Sequence, residues 1–368
     1  MTKHNTIFNL LQNFISPEEI ADILQEYGFE DVARKCTVDT LLHYLVGAAV
    51  FKWESMRDAA DRAPAEGLAR VNYSTLSKRL KALDFHIIKQ ILHRLIGRLN
   101  RAARRALRLP KGLLAIDSTT ITVGKTRWPW AVYHGERAGI KLHVSYAVET
   151  GMPLQVIETT GLKNDGPIGV QLEDARFILV GDRAYFSIDK VDRYVRTKQD
   201  FVIRLKENIQ LHRKKSLKGT RTTDSNVVAD FTCLVGSTQK QTEKRHRIVE
   251  FTDENGEVIR VITSLRHVTA EEIAHMYKER WAIESFFRWI KQNLHVPTLY
   301  GTTPNAVYSQ CFAALIAYVL LKFLHATCLC TPTLQVLSFV GFKRQLLCED
   351  LPLEWTLRIR EIQAFYGL

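Results

Sequence analysis

The hydrophobic pattern of this chain changes period at Pro110-Lys111-Gly112, and that change limits the folds open to it more than any other feature. Before the break, residues 1–111 read as helices throughout. SPEEIADILQEYGF (16–29) opens with Ser16-Pro17 and Glu18-Glu19, an N-cap followed by proline and acids in the first turn. TVDTLLHYLVGAAVFKW (37–53) reads as a long buried helix, and YSTLSKRLKALDF (73–85) as the second element of a helix–turn–helix. Beyond the break the apolar runs are short. LLAIDSTTITV (113–123), IKLHVSYAVE (140–149) and MPLQVIETT (152–160) read as strands, the last two joined by a turn at Glu149-Thr150-Gly151. Strands in 175–186 and 200–206 flank a helix at 187–198, and 207–265 is a polar run of short strands with a hairpin signal at Asp253–Gly256. A single long helix is expected over 268–294. The order βββαβαβ, then a β-rich insertion (about 207–265), then a helix, describes a mixed α/β domain over 112–330. An all-helical domain, 1–111, precedes it, and a helical extension, 331–368, follows.

Charge is as unevenly distributed as pattern. The chain carries 51 Lys and Arg against 39 Asp and Glu, a formal net of +12. Residues 51–111 hold 15 cations against 5 acids and residues 206–250 hold 10 against 5, while residues 1–50 are net −4. Two separated basic blocks fit a polyanionic partner, which the resemblance given below implies is double-stranded DNA. Lys78 and Arg79, clustered with Thr75 and Lys81 on the helix at 73–85, are expected to touch it. The start, MTKHNTIFNLL, has no apolar run long enough for a signal peptide. The most apolar stretch, Cys311–Leu321, is too short to span a bilayer and is expected as a buried helix. The six cysteines show no paired metal spacing, which fits reduced thiols in a cytoplasmic protein.

YKERWAIESFFRWIK (277–291) concentrates unusual residues on one face. At about 100° per residue, Tyr277, Arg280, Glu284 and Lys291 fall within an arc of about 60°, beside an apolar stripe of Ile273, Met276, Ile283, Phe287, Ile290 and Leu294. An amphipathic helix with an Arg280–Glu284 pair at i,i+4 has the same pattern. Asp117 and Asp182 close the apolar strands LLAID and FILVGD, where an aspartate alone is often a turn former or a cap. Two strand-end aspartates of one sheet and an acid from a packed helix can, however, converge on one point. Carboxylates so placed repel unless cations bridge them. Hard divalent ions with oxygen ligands suit such a group, and magnesium keeps positions open for water and phosphate. Two such ions activate an attacking oxygen and stabilise the leaving one in phosphodiester cleavage.

On these residues the chain resembles the DDE transposases of bacterial insertion sequences whose last motif is Tyr-x2-Arg-x3-Glu-x6-Lys. Tyr277, Arg280, Glu284 and Lys291 match it without a gap; AIDST around Asp117 and VGDRAYF around Asp182 resemble the two aspartate motifs. KLH at 141–143 and the Asn164-Asp165 loop sit where relatives carry related short motifs, and the similarity covers about residues 112–325. The resemblance implies an RNase H-like fold, and Asp117, Asp182 and Glu284 holding two magnesium ions, with manganese as the substitute. It implies Tyr277, Arg280 and Lys291 on transposon-end phosphates, and a homodimer in a synaptic complex on nucleoid DNA. The alternatives are a catalytically silent or domesticated DNA-binding relative and an RNase H-like structure-specific nuclease.

Several side chains stay open between two roles. Arg183 and Tyr185 either reach DNA or brace the turn after Asp182; Trp128 and Trp130 either touch DNA or pack a loop. His143 is expected as a buried structural residue, and Trp281 and Trp289 as core. Some relatives cut through a hairpin intermediate, with a flipped base stacked on an aromatic of the inserted β segment. Residues 207–265 contain no Trp or Tyr, which leaves Phe231 and Phe251 for that task.

Overall fold

The computed structural model describes residues 6–107, 112–134, 137–217, 225–293, 298–329 and 336–365. Pro110-Lys111 of the expected boundary, and the expected start of the extension at 331, lie outside the described residues. The chain forms two compact units, neither of them one continuous segment. One comprises residues 1–108, 121–140 and 286–368, the other 109–120 and 141–285.

The first unit is mainly helical. It opens with α1 (Thr6–Phe14), α2 (Pro17–Glu26), α3 (Val38–Phe51), α4 (Met56–Arg62), α5 (Tyr73–Ala82) and α6 (Phe85–Leu107). The start of α2 follows its sequence signal: the Ser16 hydroxyl accepts from the Glu19 N–H at 3.3 Å, and the Glu19 carboxylate accepts from the Ser16 N–H at 3.1 Å.

The second unit is built on β1 (Leu113–Gly124), β2 (Arg137–Ala147), β3 (Met152–Thr160), α7 (Asp165–Gln171), β4 (Ile178–Gly181), α8 (Ile188–Thr197), β5 (Phe201–Arg204), β6 (Leu211–Ser216), β7 (Val227–Val235), β8 (His246–Thr252), β9 (Val258–Thr263) and α9 (Ala270–Lys278). The strands form one mixed nine-stranded sheet, ordered β3-β2-β1-β4-β5-β9-β8-β7-β6. β4 lies parallel between β1 and β5. The β-rich segment is no separate module. β9 pairs antiparallel with β5, Ile203 opposite Ile262, so β6–β9 extend the same sheet. The hairpin turn between β8 and β9 falls at Asp253–Gly256 with Gly256 at φ +81°, a conformation glycine takes at little steric cost.

Alternation along the central strands sorts their side chains onto two faces. Leu114, Ile116, Leu179, Phe201 and Ile203 pack with Val191 and Tyr194 of α8. Leu113, Ile178, Val180 and Val202 pack with Ile273, Ala274 and Tyr277 of α9. Each fully buried aliphatic side chain contributes about 1.5–3 kcal/mol, so the two faces fix both the sheet and the helix that crosses it.

The single helix expected over 268–294 is in fact two. α9 ends at Lys278, and α10 runs over Trp281–Asn293. Between them the hydrogen bonds tighten to an i→i−3 pattern: Arg280 N–H to the Tyr277 carbonyl at 3.1 Å, Ala282 to Glu279 at 3.0 Å and Ile283 to Arg280 at 3.2 Å. The turn there is nearer about 120° per residue, so one helical wheel does not describe Tyr277 and Lys291 together.

The helical unit is completed by α11 (Pro304–Leu329), α12 (Phe339–Leu347) and α13 (Leu353–Phe365). α11 is longer than the apolar stretch at its centre suggested. Its 26 residues are long and apolar enough to cross a membrane by length and composition, yet 78% of that window is buried inside the protein. It packs on α1, α3, α5, α6, α12 and α13 as the core helix of its unit.

Candidate active site

Strand register sets the first two acids side by side. Ile116 of β1 stands opposite Gly181 of β4, so Asp117 and Asp182 come next on neighbouring parallel strands, which lie about 4.8 Å apart. Leu113, Ile178 and Val180 precede them in the two-residue repeat and pack toward α9, and the alternation sends both aspartates to that side. The junction of α9 and α10 meets them there. Tyr277 is buried, and its hydroxyl donates to Asp182 Oδ1 at 3.5 Å. Arg280, also buried, pairs through Nη2 with Glu284 Oε1 at 2.7 Å and through Nη1 reaches Asp117 Oδ2 at 3.8 Å. Its guanidinium lies 5.6 Å from the centre of the Tyr277 ring. Asp117, Asp182 and Glu284 are thus gathered around one tyrosine and one arginine.

Their charges are not balanced. Burial pushes the Asp117 carboxyl up to about 6, and repulsion from Glu284 and Asp182 adds to it, against the Ser118 N–H and Arg280, which favour the charged form. Burial works against the Arg280 charge, but Tyr277, Glu284 and Asp182 outweigh it and hold the guanidinium protonated. The Tyr277 hydroxyl is pushed up by burial first and by Asp182 after it, so it stays a donor at neutral pH.

Among the described residues no three His, Cys, Asp or Glu side chains already stand at the distances a bound metal ion needs. The donor set nonetheless fits a hard divalent cation: three carboxylates, with one of them destabilised as an anion by burial first and by the other two after it. Arg280 is the cation that Asp117 and Glu284 share in this arrangement.

The remaining expected site residues are more scattered. Lys291 lies on α10 two turns beyond Glu284, and burial lowers its pKa. Arg183 is exposed on the turn after Asp182. Lys78 is exposed on α5, but Arg79 beside it is tied to Asp31 and lies over the Phe29 ring at 5.0 Å, so its guanidinium is engaged within the protein. Trp128 and Trp130 pack a loop, donating from their indole N–H groups to the carbonyls of Gly301 and Thr302 at 2.9 and 2.7 Å. Trp289 is core, stacked 4.5 Å from Phe339, whereas Trp281 is 54% exposed and does not belong to the core expected for it. Phe231 and Phe251 are both buried in the clusters on the sheet's faces, so neither offers a ring to a flipped base. Pattern reading missed the hydrogen bond from Ser118 to Asp165. The only signal was the position of the Asn164-Asp165 loop among short motifs.

The profile described as "Transposase DDE domain" matches residues 108–320. Over 355 residues, 96% of this chain and 94% of the relative, the chain is 52% identical to "Probable transposase for insertion sequence element IS5377" of Geobacillus stearothermophilus. It is 34% identical over 234 residues, 62% of this chain and 64% of the relative, to "Putative transposase y4zB" of Sinorhizobium fredii. It is 26% identical over 283 residues, 73% of this chain and 76% of the relative, to "Putative transposase for insertion sequence element IS4SA" of Synechocystis sp.. The matched segment contains both strand-end aspartates and the α9–α10 junction, and the chain belongs to the DDE transposase family.

Proposed function

We propose that this transposase binds the ends of an insertion sequence, cleaves the DNA there and joins the freed 3′ ends to a target, with Asp117, Asp182 and Glu284 as its catalytic carboxylates. The observation that carries this reading is the surplus of negative charge where β1 and β4 stop pairing, with Asp117 and Glu284 on one guanidinium and Asp182 on the Tyr277 hydroxyl beside it. The relative that shares 52% of its residues is named for an insertion sequence, which supports the substrate. The sheet order, with parallel β1, β4 and β5 at its centre, Asp117 within β1 and Asp182 just past β4, supports an RNase H-like fold.

The three carboxylates would hold two magnesium ions, with manganese as the substitute, and bound ions would activate the attacking oxygen and stabilise the leaving one. The chain's own residues prepare that site. Tyr277 fixes one oxygen of Asp182, and Arg280 holds Glu284 and Asp117 toward each other. On DNA, a phosphate competes with those carboxylates for Arg280, a bidentate donor suited to it. Lys291 takes up a further phosphate, which favours the charged form that burial disfavours. The basic block of residues 51–111, with Lys78 exposed, is assigned to end binding within an N-terminal DNA-binding domain, and Arg183 to DNA beside Asp182. Two copies bring two ends together in the cytoplasm, where bacterial DNA lies.

Asp117→Ala, Asp182→Ala and Glu284→Ala are each expected to abolish strand cleavage in magnesium while end binding persists. Near wild-type cleavage in any one of them rejects the carboxylate assignment. A wild-type protein that binds ends but never cuts them points to a DNA-binding relative instead.

A further inference from the structure

A second polar cluster lies behind the carboxylates, centred on Asp165, the first residue of α7. Asp165 Oδ1 accepts from the Ser118 hydroxyl at 2.8 Å. Ser118 directly follows Asp117, and its N–H donates to Asp117 Oδ1 at 2.8 Å. Lys141 Nζ lies 3.4 Å from the same Asp165 oxygen and donates to the Lys163 carbonyl at 2.9 Å.

His143, fully buried, supplies the informative contact. Its Nε2 is 2.9 Å from the Thr159 hydroxyl, which itself donates to the Thr160 carbonyl at 3.1 Å. In the tautomer in which Thr159 keeps that bond, its hydroxyl accepts and Nε2 carries the ring proton. Nδ1 is left as a lone pair 3.3 Å from Asp165 Oδ1, without a hydrogen-bond partner. Burial pushes this imidazole down to about 4 despite Asp165, so the ring is neutral at pH 7 and Lys141 alone balances the Asp165 charge.

An asparagine amide at position 165 could donate to the His143 lone pair that the carboxylate leaves unmatched, at the cost of the counter-charge that Lys141 has there. It would then cease to accept from Ser118, since all three neighbours meet at the same Asp165 oxygen. The released hydroxyl has Asp117 as its neighbouring acceptor. The far end of α7 is fixed independently: a Cβ on Gly169 would meet the Tyr185 ring at 2.7 Å, and the Tyr185 N–H donates to the Asp182 carbonyl at 2.9 Å.

Resting on the reading of Asp117 and Asp182 as catalytic, we infer that Asp165 is a positioning residue for the cleavage site. It holds the Ser118 hydroxyl away from Asp117 and seats α7 against the two strand ends. In full-length protein, Asp165→Asn should leave end binding unchanged and lower the metal-free unfolding midpoint only as far as the lost Lys141 pair accounts for, which Lys141→Met measures separately. It should raise the magnesium concentration for half-maximal cleavage by about tenfold, the range in which outer groups tune a metal site. The manganese concentration that raises the unfolding midpoint without DNA should rise in parallel. Adding Ser118→Ala to Asp165→Asn should bring both concentrations back, because the stray donor is gone. Unchanged metal dependence in Asp165→Asn, or no recovery in the double variant, overturns the inference. So does a fall in the metal-free midpoint large enough to account for the loss, which would make the role structural. Wild-type cleavage by Asp117→Asn in the same series would instead remove the catalytic reading beneath it.

Discussion

Arg79 and Arg280, one in each compact unit, hold carboxylates in opposite ways. Arg79 on α5 pairs with Asp31 one to one, and Asp31 also accepts the Val38 N–H at 2.6 Å at the start of α3. Arg280 stands among Asp117 and Glu284, with Asp182 held by Tyr277 beside it. In the first centre the charges match. In the second they do not: burial first, and then Glu284 and Asp182, push Asp117 up to about 6 against the pull of Arg280. Folding gains nothing from a surplus of buried charge. The imbalance, rather than the ion pair itself, separates a site built for a further cation from one that joins segments of chain.

Exchanging each arginine for alanine puts the largest strain on this contrast. Arg280→Ala removes the cation shared by Asp117 and Glu284 and a bidentate phosphate donor, so cleavage should fall by about a hundredfold or more. Arg79→Ala should leave cleavage per folded molecule intact and instead lower unfolding stability by about 1–3 kcal/mol. Cleavage gels beside denaturant titrations measure both, and comparable cleavage losses in the two variants would break the contrast.

The next effect comes from pH. The unfolded chain protonates His143 near pH 6.5, whereas the folded chain refuses that proton until about 4. Stability from this residue is therefore complete above about 6.5 and declines as pH falls toward 4, by about 3 kcal/mol in all. Asp117 works the other way, since its raised pKa gains stability over part of the same window. The comparison of wild type with His143→Gln isolates the histidine. Parallel stability curves between pH 6.5 and 4 would mean that the ring is not held neutral.

Smaller still is Lys78→Ala, exposed next to Arg79. End binding should lose about 0.9 from its log–log salt slope, one phosphate contact. An equal loss in Arg79→Ala would place that guanidinium on DNA rather than on Asp31. Trp281→Ala should matter least, with stability changed by no more than about 0.5 kcal/mol, as for an exposed side chain.

Much of this was legible in the residues. Strand starts and ends, the cap at Ser16 and the turn at Asp253–Gly256 carry local chemistry, and local chemistry survives into the fold. The order of the acids was legible too, because apolar strands ending in aspartate need no distant partner to be noticed. What stayed hidden depends on partners. No glycine or proline marks the break at Glu279-Arg280, which lies where Arg280 turns toward Asp117 and Glu284. Nothing in Arg79 announces Asp31, 48 residues earlier. Nothing in residues 207–265 says that β9 will add to the central sheet rather than close a module of its own.

The burial of α11 has a consequence in time. Residues 109–120 and 141–285 are all synthesised before residue 304, whereas α3 and α6 wait for α11 to fill their shared seat. At about 5–20 residues per second, residues 286–368 take roughly 4–17 s to make. Through that interval the first helices present apolar surface to chaperones and proteases. Synthesis that stops before residue 304 should yield a folded sheet unit attached to helices without their core, and such chains should be cleared quickly. Limited proteolysis of stalled chains would show protected sheet fragments and digested N-terminal helices. The helix that most resembles a membrane span would then act as a test of whether translation was finished.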